Sequence, residues 1–165
     1  GFNVQRASQA LSQSKTIQDI EALIERYPST PSAPLALIKL AKVYFNREDY
    51  DMALNKYSEF MNKYPDHQMA AVAQLGKTHC LEARGQMEEA LSKFILFSKK
   101  HPDHFLTFQA LLGQARCLKA LNRQNEAKAL YENFIKSHPE NQWIPIVRQL
   151  LADIQPEKIQ ETITK

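Results

Sequence analysis

Glycine is scarce in this chain: 4 in 165 residues. That argues against β-rich folds and against the glycine loops that cradle phosphates. Cysteine is scarcer, with Cys80 and Cys117 alone, so a framework of disulfides is excluded. There is no Asn-X-Ser/Thr glycosylation acceptor. No apolar run approaches the roughly 18 residues that a membrane-crossing helix requires; Phe94-Ile95-Leu96-Phe97 is a helix-sized stripe. Charge of either sign is muted: 21 Lys+Arg against 18 Asp+Glu leave a formal +3, too weak by itself to imply nucleic acid. The 44% apolar and 24% charged composition is that of a globular chain, and the length fits one domain or one short repeat array. The chain begins Gly1-Phe2-Asn3 without a methionine and reads as a processed or cloned fragment, so a signal or anchor upstream would be out of view.

What the chain does have is a ruler. Tyr27-Pro28, Tyr64-Pro65, His101-Pro102 and His138-Pro139 recur every 37 residues, and 4 of the 8 prolines lie on that spacing. So do Ala53, Ala90 and Ala127; Tyr57, Phe94 and Tyr131; and Phe60, Phe97 and Phe134. Leu75-Gly76 matches Leu112-Gly113, and Cys80-Leu81 matches Cys117-Leu118. Each unit reads as two helices. In the middle unit the first spans about 67–84 and the second about 87–100. In the second helix Ala90, Phe94 and Phe97 fall at i, i+4 and i+7, one apolar stripe in which the alanine admits a neighbouring helix and the aromatics fill the space beyond. Gly85-Gln86 and Asn122-Arg123 break the pair. The proline closes the unit because it cannot continue a helix interior. Asp66, Asp103 and Glu140 follow that proline, where they are expected to cap the next helix or to favour its positive N-terminal end.

The ordered series Leu37, Leu40-Ala41, Tyr44, Tyr50, Ala53, Tyr57, Phe60 and Pro65, repeated as Thr78, Leu81, Gly85, Ala90, Phe94, Phe97 and Pro102, and again as Leu111, Ala115, Leu118, Asn122, Ala127, Tyr131, Phe134 and Pro139, resembles the tetratricopeptide repeat. The unit here is three residues longer than that family's 34, with the excess near the junction. The expected fold is all-α: a helix-turn-helix repeat solenoid winding as a right-handed superhelix. It comprises a partial repeat over 1–30, three repeats over 31–67, 68–104 and 105–141, and a capping helix over 143–155 with Ala152 at the small-residue site, all one domain over 1–155. A polar tail follows over 156–165, apolar only at Ile159 and Ile163. Residues 1–13 carry the pattern poorly and read as a frayed or truncated first helix.

The resemblance implies a non-catalytic scaffold that binds a peptide or protein segment on a concave face lined by the first helices. Lys42, His79 and Arg116 follow the small site in each unit; Ile38, Leu75 and Leu112 stand one turn earlier, and Phe45, Glu82 and Lys119 three residues later. An apolar row beside a basic row suits an extended or helical segment with carboxylates. The terminal-carboxylate clamp of chaperone-binding members is not kept: its positions carry Ile38, Lys42, Gly76, Gln109 and Gly113. The repeat style is similar to that of bacterial envelope-associated members, such as the ancillary subunit of the Sec translocon and the lipoproteins of outer-membrane assembly. That implies a partner in envelope assembly or secretion, and an envelope rather than a cytoplasmic setting.

Other classes find little support. His101-Pro102-Asp103-His104 has metal-like residues, but His101 fills the slot of Tyr27, Tyr64 and His138, and His67 and His104 share another; no metal or cofactor is expected. Walker, dinucleotide, nucleophile-elbow and HExxH motifs are missing, and Glu88-Glu89 sits at a helix start, where the helix dipole favours it, so no enzyme is expected. Base-reading RNA repeats would need polar residues where Ile38, Leu75 and Leu112 stand. A self-associating cytoplasmic assembly module, joined through an incompletely capped N-terminal end or through the helix of Trp143 where that does not pack on Tyr131 or Phe134, is the other alternative. Cys80 and Cys117 are expected to be buried and reduced.

Overall fold

A computed structural model describes residues 1–159. Among them are nine helices and no strand. The chain divides into two compact units, Gly1–Gly85 and Gln86–Lys165. The first holds α1 (Phe2–Gln13), α2 (Ile17–Arg26), α3 (Ser32–Asn46), α4 (Tyr50–Lys63) and α5 (Ala70–Ala83). The second holds α6 (Met87–Lys100), α7 (Thr107–Ala120), α8 (Gln124–Ser137) and α9 (Ile144–Ala152). Within each unit consecutive helices pack on one another, as an all-α helical repeat of the solenoid class requires.

The turn inside each helix pair is a left-handed stop. Glu48, Gly85 and Asn122, 37 residues apart, have φ of 62°, 80° and 57°. After α3, Glu48 N–H reaches the Phe45 carbonyl and Asp49 N–H reaches that of Tyr44; after α7, Asn122 and Arg123 do the same to Lys119 and Leu118. These are Schellman closures, which satisfy the last carbonyls of the helix. Glycine adopts this conformation freely, whereas Glu48 adopts it at a cost.

The junction after the proline uses other chemistry. Tyr27, Tyr64, His101 and His138 end the second helices with nearly the same φ and ψ, near −130° and 55°. A following proline disfavours the helical conformation at that residue. The next helix is not capped by the acid after the proline: no side chain caps α5, α7 or α9. The residue one further along braces the turn instead. His67 Nδ1 accepts the Met69 N–H at 3.0 Å, His104 Nδ1 accepts that of Leu106 at 3.1 Å, and Asn141 Oδ1 accepts that of Trp143 at 2.8 Å. Both His positions are therefore structural.

Packing follows the stripe. Ala53, Phe60, Ala90, Phe94 and Phe97 are wholly buried, and Tyr57 nearly so. The Tyr57 ring lies flat against the backbone of Gly76 in the first unit, and the Phe94 ring against that of Gly113 in the second; a Cβ on either glycine would overlap the ring. One repeat earlier, the corresponding positions hold Ile20 and Lys39; one repeat later, Tyr131 and Leu150. Cys80 and Cys117 are buried and in no disulfide, and burial pushes the Cys80 thiol up to about 11.

The N-terminal helix departs from expectation: α1 is a full helix of 12 residues. Ala7 is its buried residue, which is why periodicity reads it poorly. Its C-terminal end is clamped from α3, where Lys39 Nζ donates to the carbonyls of Leu11 (3.0 Å) and Ser14 (2.7 Å). A cation is favourable there against the helix dipole. Then α2 opens with a capping box, in which Thr16 accepts from Asp19 N–H and Asp19 returns the bond. The backbone N–H of Lys15, then Thr16, holds the Asp19 carboxyl below its ordinary range. At the other end Ala152 is exposed rather than sealed, because no second helix covers it among the described residues. Trp143 stacks on Phe108 at 5.0 Å, not on Tyr131 or Phe134. Of the tail, Pro156–Ile159 is without regular structure, and Ile163 lies outside the described residues.

Candidate functional site

The nine residues expected to line a binding face fall on α3, α5 and α7, and burial sorts them. Ile38 is 4% exposed and Leu75 is 3% exposed. These two belong to the core and offer no surface. A first helix here has neighbours on more than one side, α3 touching α1, α2 and α4, so its apolar arc is wider than one stripe. Leu112 is half-buried and packs into the cluster of Leu111, Ala115, Tyr131 and Val147. The apolar row is therefore mostly interior.

The polar positions do reach the surface. Lys42 is exposed on α3, one residue after the fully buried Ala41. Phe45, one turn on, is half-buried and meets Tyr50 edge-on at 5.2 Å. On α5, His79 Nδ1 lies 3.5 Å from Glu82 Oε2, both partly buried. They stand three residues apart, on one helix face. In the second unit Arg116 and Lys119 are exposed on α7. Burial raises the pKa of the Tyr131 hydroxyl, and the charge of Arg116 works against that rise, so the guanidinium acts on the tyrosine that packs beneath its helix. The first unit thus presents Lys42 with Phe45, and His79 with Glu82; the second presents Arg116 and Lys119.

Two polar side chains with evident work escaped the sequence reading. Lys39 lies on the Gly76/Gly113 position of the ruler and serves α1, as described above. In sequence Asn122 marks only a helix break, yet its amide pairs with the backbone of Lys158. Asparagine in a turn was the available signal, since it tolerates left-handed φ and carries a peptide-like group.

Neither a metal-holding cluster nor a membrane-crossing helix is found among the described residues. No three His, Cys, Asp or Glu side chains are grouped to hold a metal ion. His101 and His104 instead pack around Phe97, the first tilted at 4.9 Å and the second edge-on at 5.9 Å. No helix is long and apolar enough to cross a membrane.

Comparison with known proteins agrees with this geometry. The family model of the tetratricopeptide repeat-like domain matches residues 2–156. No curated protein matches the chain. Domains of this family typically bind proteins and are generally non-catalytic. The match spans α1 to α9 and includes the junctions, left-handed turns and buried stripes described above, so the chain belongs to the tetratricopeptide repeat-like family.

Proposed function

We propose that this chain is a non-catalytic protein-interaction module that holds acidic groups of a partner through exposed or half-exposed side chains of its first helices, Lys42 and His79 in the first unit and Arg116 in the second. One contrast carries the reading. Ala41, Thr78 and Ala115 are buried, while the residues that follow them, Lys42, His79 and Arg116, are exposed or half-exposed and can all carry positive charge. Each first helix seals the core at one step and turns a basic group outward at the next. Arg116 offers a planar fork to a carboxylate, and Lys42 a point charge. Exposed ion pairs contribute only about 0–1 kcal/mol each, so they select and orient; the apolar share of binding falls to surfaces such as Phe45.

The similarity of the repeat style to bacterial envelope-associated members supports a partner in envelope assembly or secretion. A second reading, self-association, draws on the exposed Trp143 just before α9, Ile146 within it, and the exposed Phe2 and Val4 of α1.

The test compares the wild-type chain with the triple variant Lys42→Glu, His79→Glu, Arg116→Glu, once circular dichroism shows both equally helical. Capture from lysate identifies candidates, and each is then bound in purified form. A partner that binds the wild type and loses at least about tenfold in affinity on triple charge reversal supports the proposal. Equal binding of the two chains refutes it. Sedimentation of the wild type as a monomer removes the second reading.

A further inference from the structure

One contact in the second unit belongs neither to the core nor to the proposed basic positions. The extended segment after α9 lies across the turn between α7 and α8. Asn122 pairs with the Lys158 backbone in both directions: Nδ2 donates to the Lys158 carbonyl at 3.0 Å, and Lys158 N–H donates to Oδ1 at 2.9 Å. Beside it, Asn125 N–H donates to Glu157 Oε1 at 3.1 Å. That N–H is in the first turn of α8, where no intrahelical acceptor exists and the helix end is positive. No side chain caps α8 at its N-cap residue, Arg123, so the carboxylate from the tail fills that place.

The chemistry is selective in a particular way. A primary amide used in both directions matches a peptide group of any sequence. The only side chain read is the carboxylate. The equivalent turn residues, Glu48 and Gly85, carry no amide, so the third full repeat alone has this clasp. The seated residues are not swallowed by the core: residues 156–159 are all exposed, Ile159 at 91%. They can leave without opening apolar surface.

We propose that the α7–α8 turn is a docking site for an extended, glutamate-bearing segment of a partner protein, and that residues 156–159 occupy it in cis. The site is separate from Lys42, His79 and Arg116 and stands whether or not that reading holds. A tethered occupant acts at an effective concentration near the millimolar range, so a free segment must compete with it.

The experiment uses the full chain, labelled with nitrogen-15, and an acetylated, amidated peptide of sequence Gln-Pro-Glu-Lys-Ile. The Asn122 side-chain amide and the Asn125 backbone amide are followed by NMR. The variant Glu157→Ala, Lys158→Pro removes the carboxylate and the donated N–H, and so empties the site. It should take up the peptide with saturable shifts at those two amides, about tenfold tighter than the wild type does. Adding Asn122→Gly, which keeps the left-handed turn as at Gly85, should abolish the uptake. In the otherwise wild-type chain, Asn122→Gly should speed exchange of the Lys158 amide by about tenfold. A peptide that leaves both amides unmoved in the emptied chain makes the tail a structural contact only, and overturns the proposal. Binding that survives Asn122→Gly, or Lys158 exchange unchanged by it, overturns it equally.

Discussion

Consider replacing Gly76 by alanine. In an ordinary helix interior the change should help, since glycine is about 0.8–1 kcal/mol worse than alanine there. Here the new Cβ would sit 2.6 and 2.7 Å from Cε1 and Cε2 of Tyr57, where ordinary contact begins at 3.4 Å. Something must move by most of an ångström. The ring cannot swing away into solvent, because Tyr57 is buried and its environment pushes the hydroxyl pKa up to about 12. Overpacking of a tight interior costs about 1–3 kcal/mol, so after the propensity gain the net loss should be about 1–2 kcal/mol. For a chain of this size that lowers the melting midpoint by about 2–8 °C. The assay is urea denaturation followed by helical circular dichroism, on the wild type, Gly76→Ala, Tyr57→Leu and the double variant. In the Tyr57→Leu background the alanine should cost far less or stabilise, a favourable coupling of about 1 kcal/mol or more. A Gly76→Ala chain more stable than the wild type would refute the reasoning: helix propensity would then outweigh the contact, and the ring would not be held against the backbone. Gly113→Ala against Phe94, at 2.5 and 2.6 Å from Cζ and Cε1, is an independent repetition.

Two other outcomes follow from the turns. Glu48→Gly should stabilise the chain by about 0.5–1 kcal/mol, because a left-handed residue with a Cβ costs about 1–2 kcal/mol and the glycine returns part of that as chain entropy; the same denaturation measurement checks it, with Gly85 showing the conformation it would adopt. His101 has its pKa lowered from 6.5 by burial first, then by the nearby His104 and Lys100. Its neutral form is favoured in the folded chain, so this contribution is complete above pH 6.5 and is lost as pH falls below 6.5 towards the lowered value. His101→Tyr, the residue at the equivalent positions 27 and 64, should flatten the dependence of the urea midpoint between pH 7.5 and 5.

The repeat was legible because its signals are local. Ala90, Phe94 and Phe97 mark one face of α6, and its observed bounds, Met87–Lys100, match the pattern's. The left-handed stop at Gly85 was legible for the same reason. Glu48 was not, since nothing in a glutamate announces positive φ. The binding face was harder. Ile38 and Leu75 look alike in sequence whether a helix buries one stripe or a wider arc, and only tertiary neighbours decide. Asp66 and Asp103 look like caps, but His67 and His104 brace the turn, because an imidazole nitrogen can accept a backbone N–H as a carboxylate can. Lys39 and Asn122 act across 25–36 residues of chain, a separation that periodicity does not sample.

The glycine-and-ring contact also says how such a chain could be recombined. Tyr57 requires the glycine at 76, and Phe94 the one at 113, but each pair lies in different sequence units. Cutting and splicing at the prolines would separate ring from glycine. Transplanting the middle unit onto the first junction would set a glycine opposite Ile20 and leave a gap; transplanting Tyr57 opposite Lys39 would set a ring against a Cβ. The block that can be exchanged intact runs from one second helix to the following first helix, half a period out of step with the repeat that the prolines count.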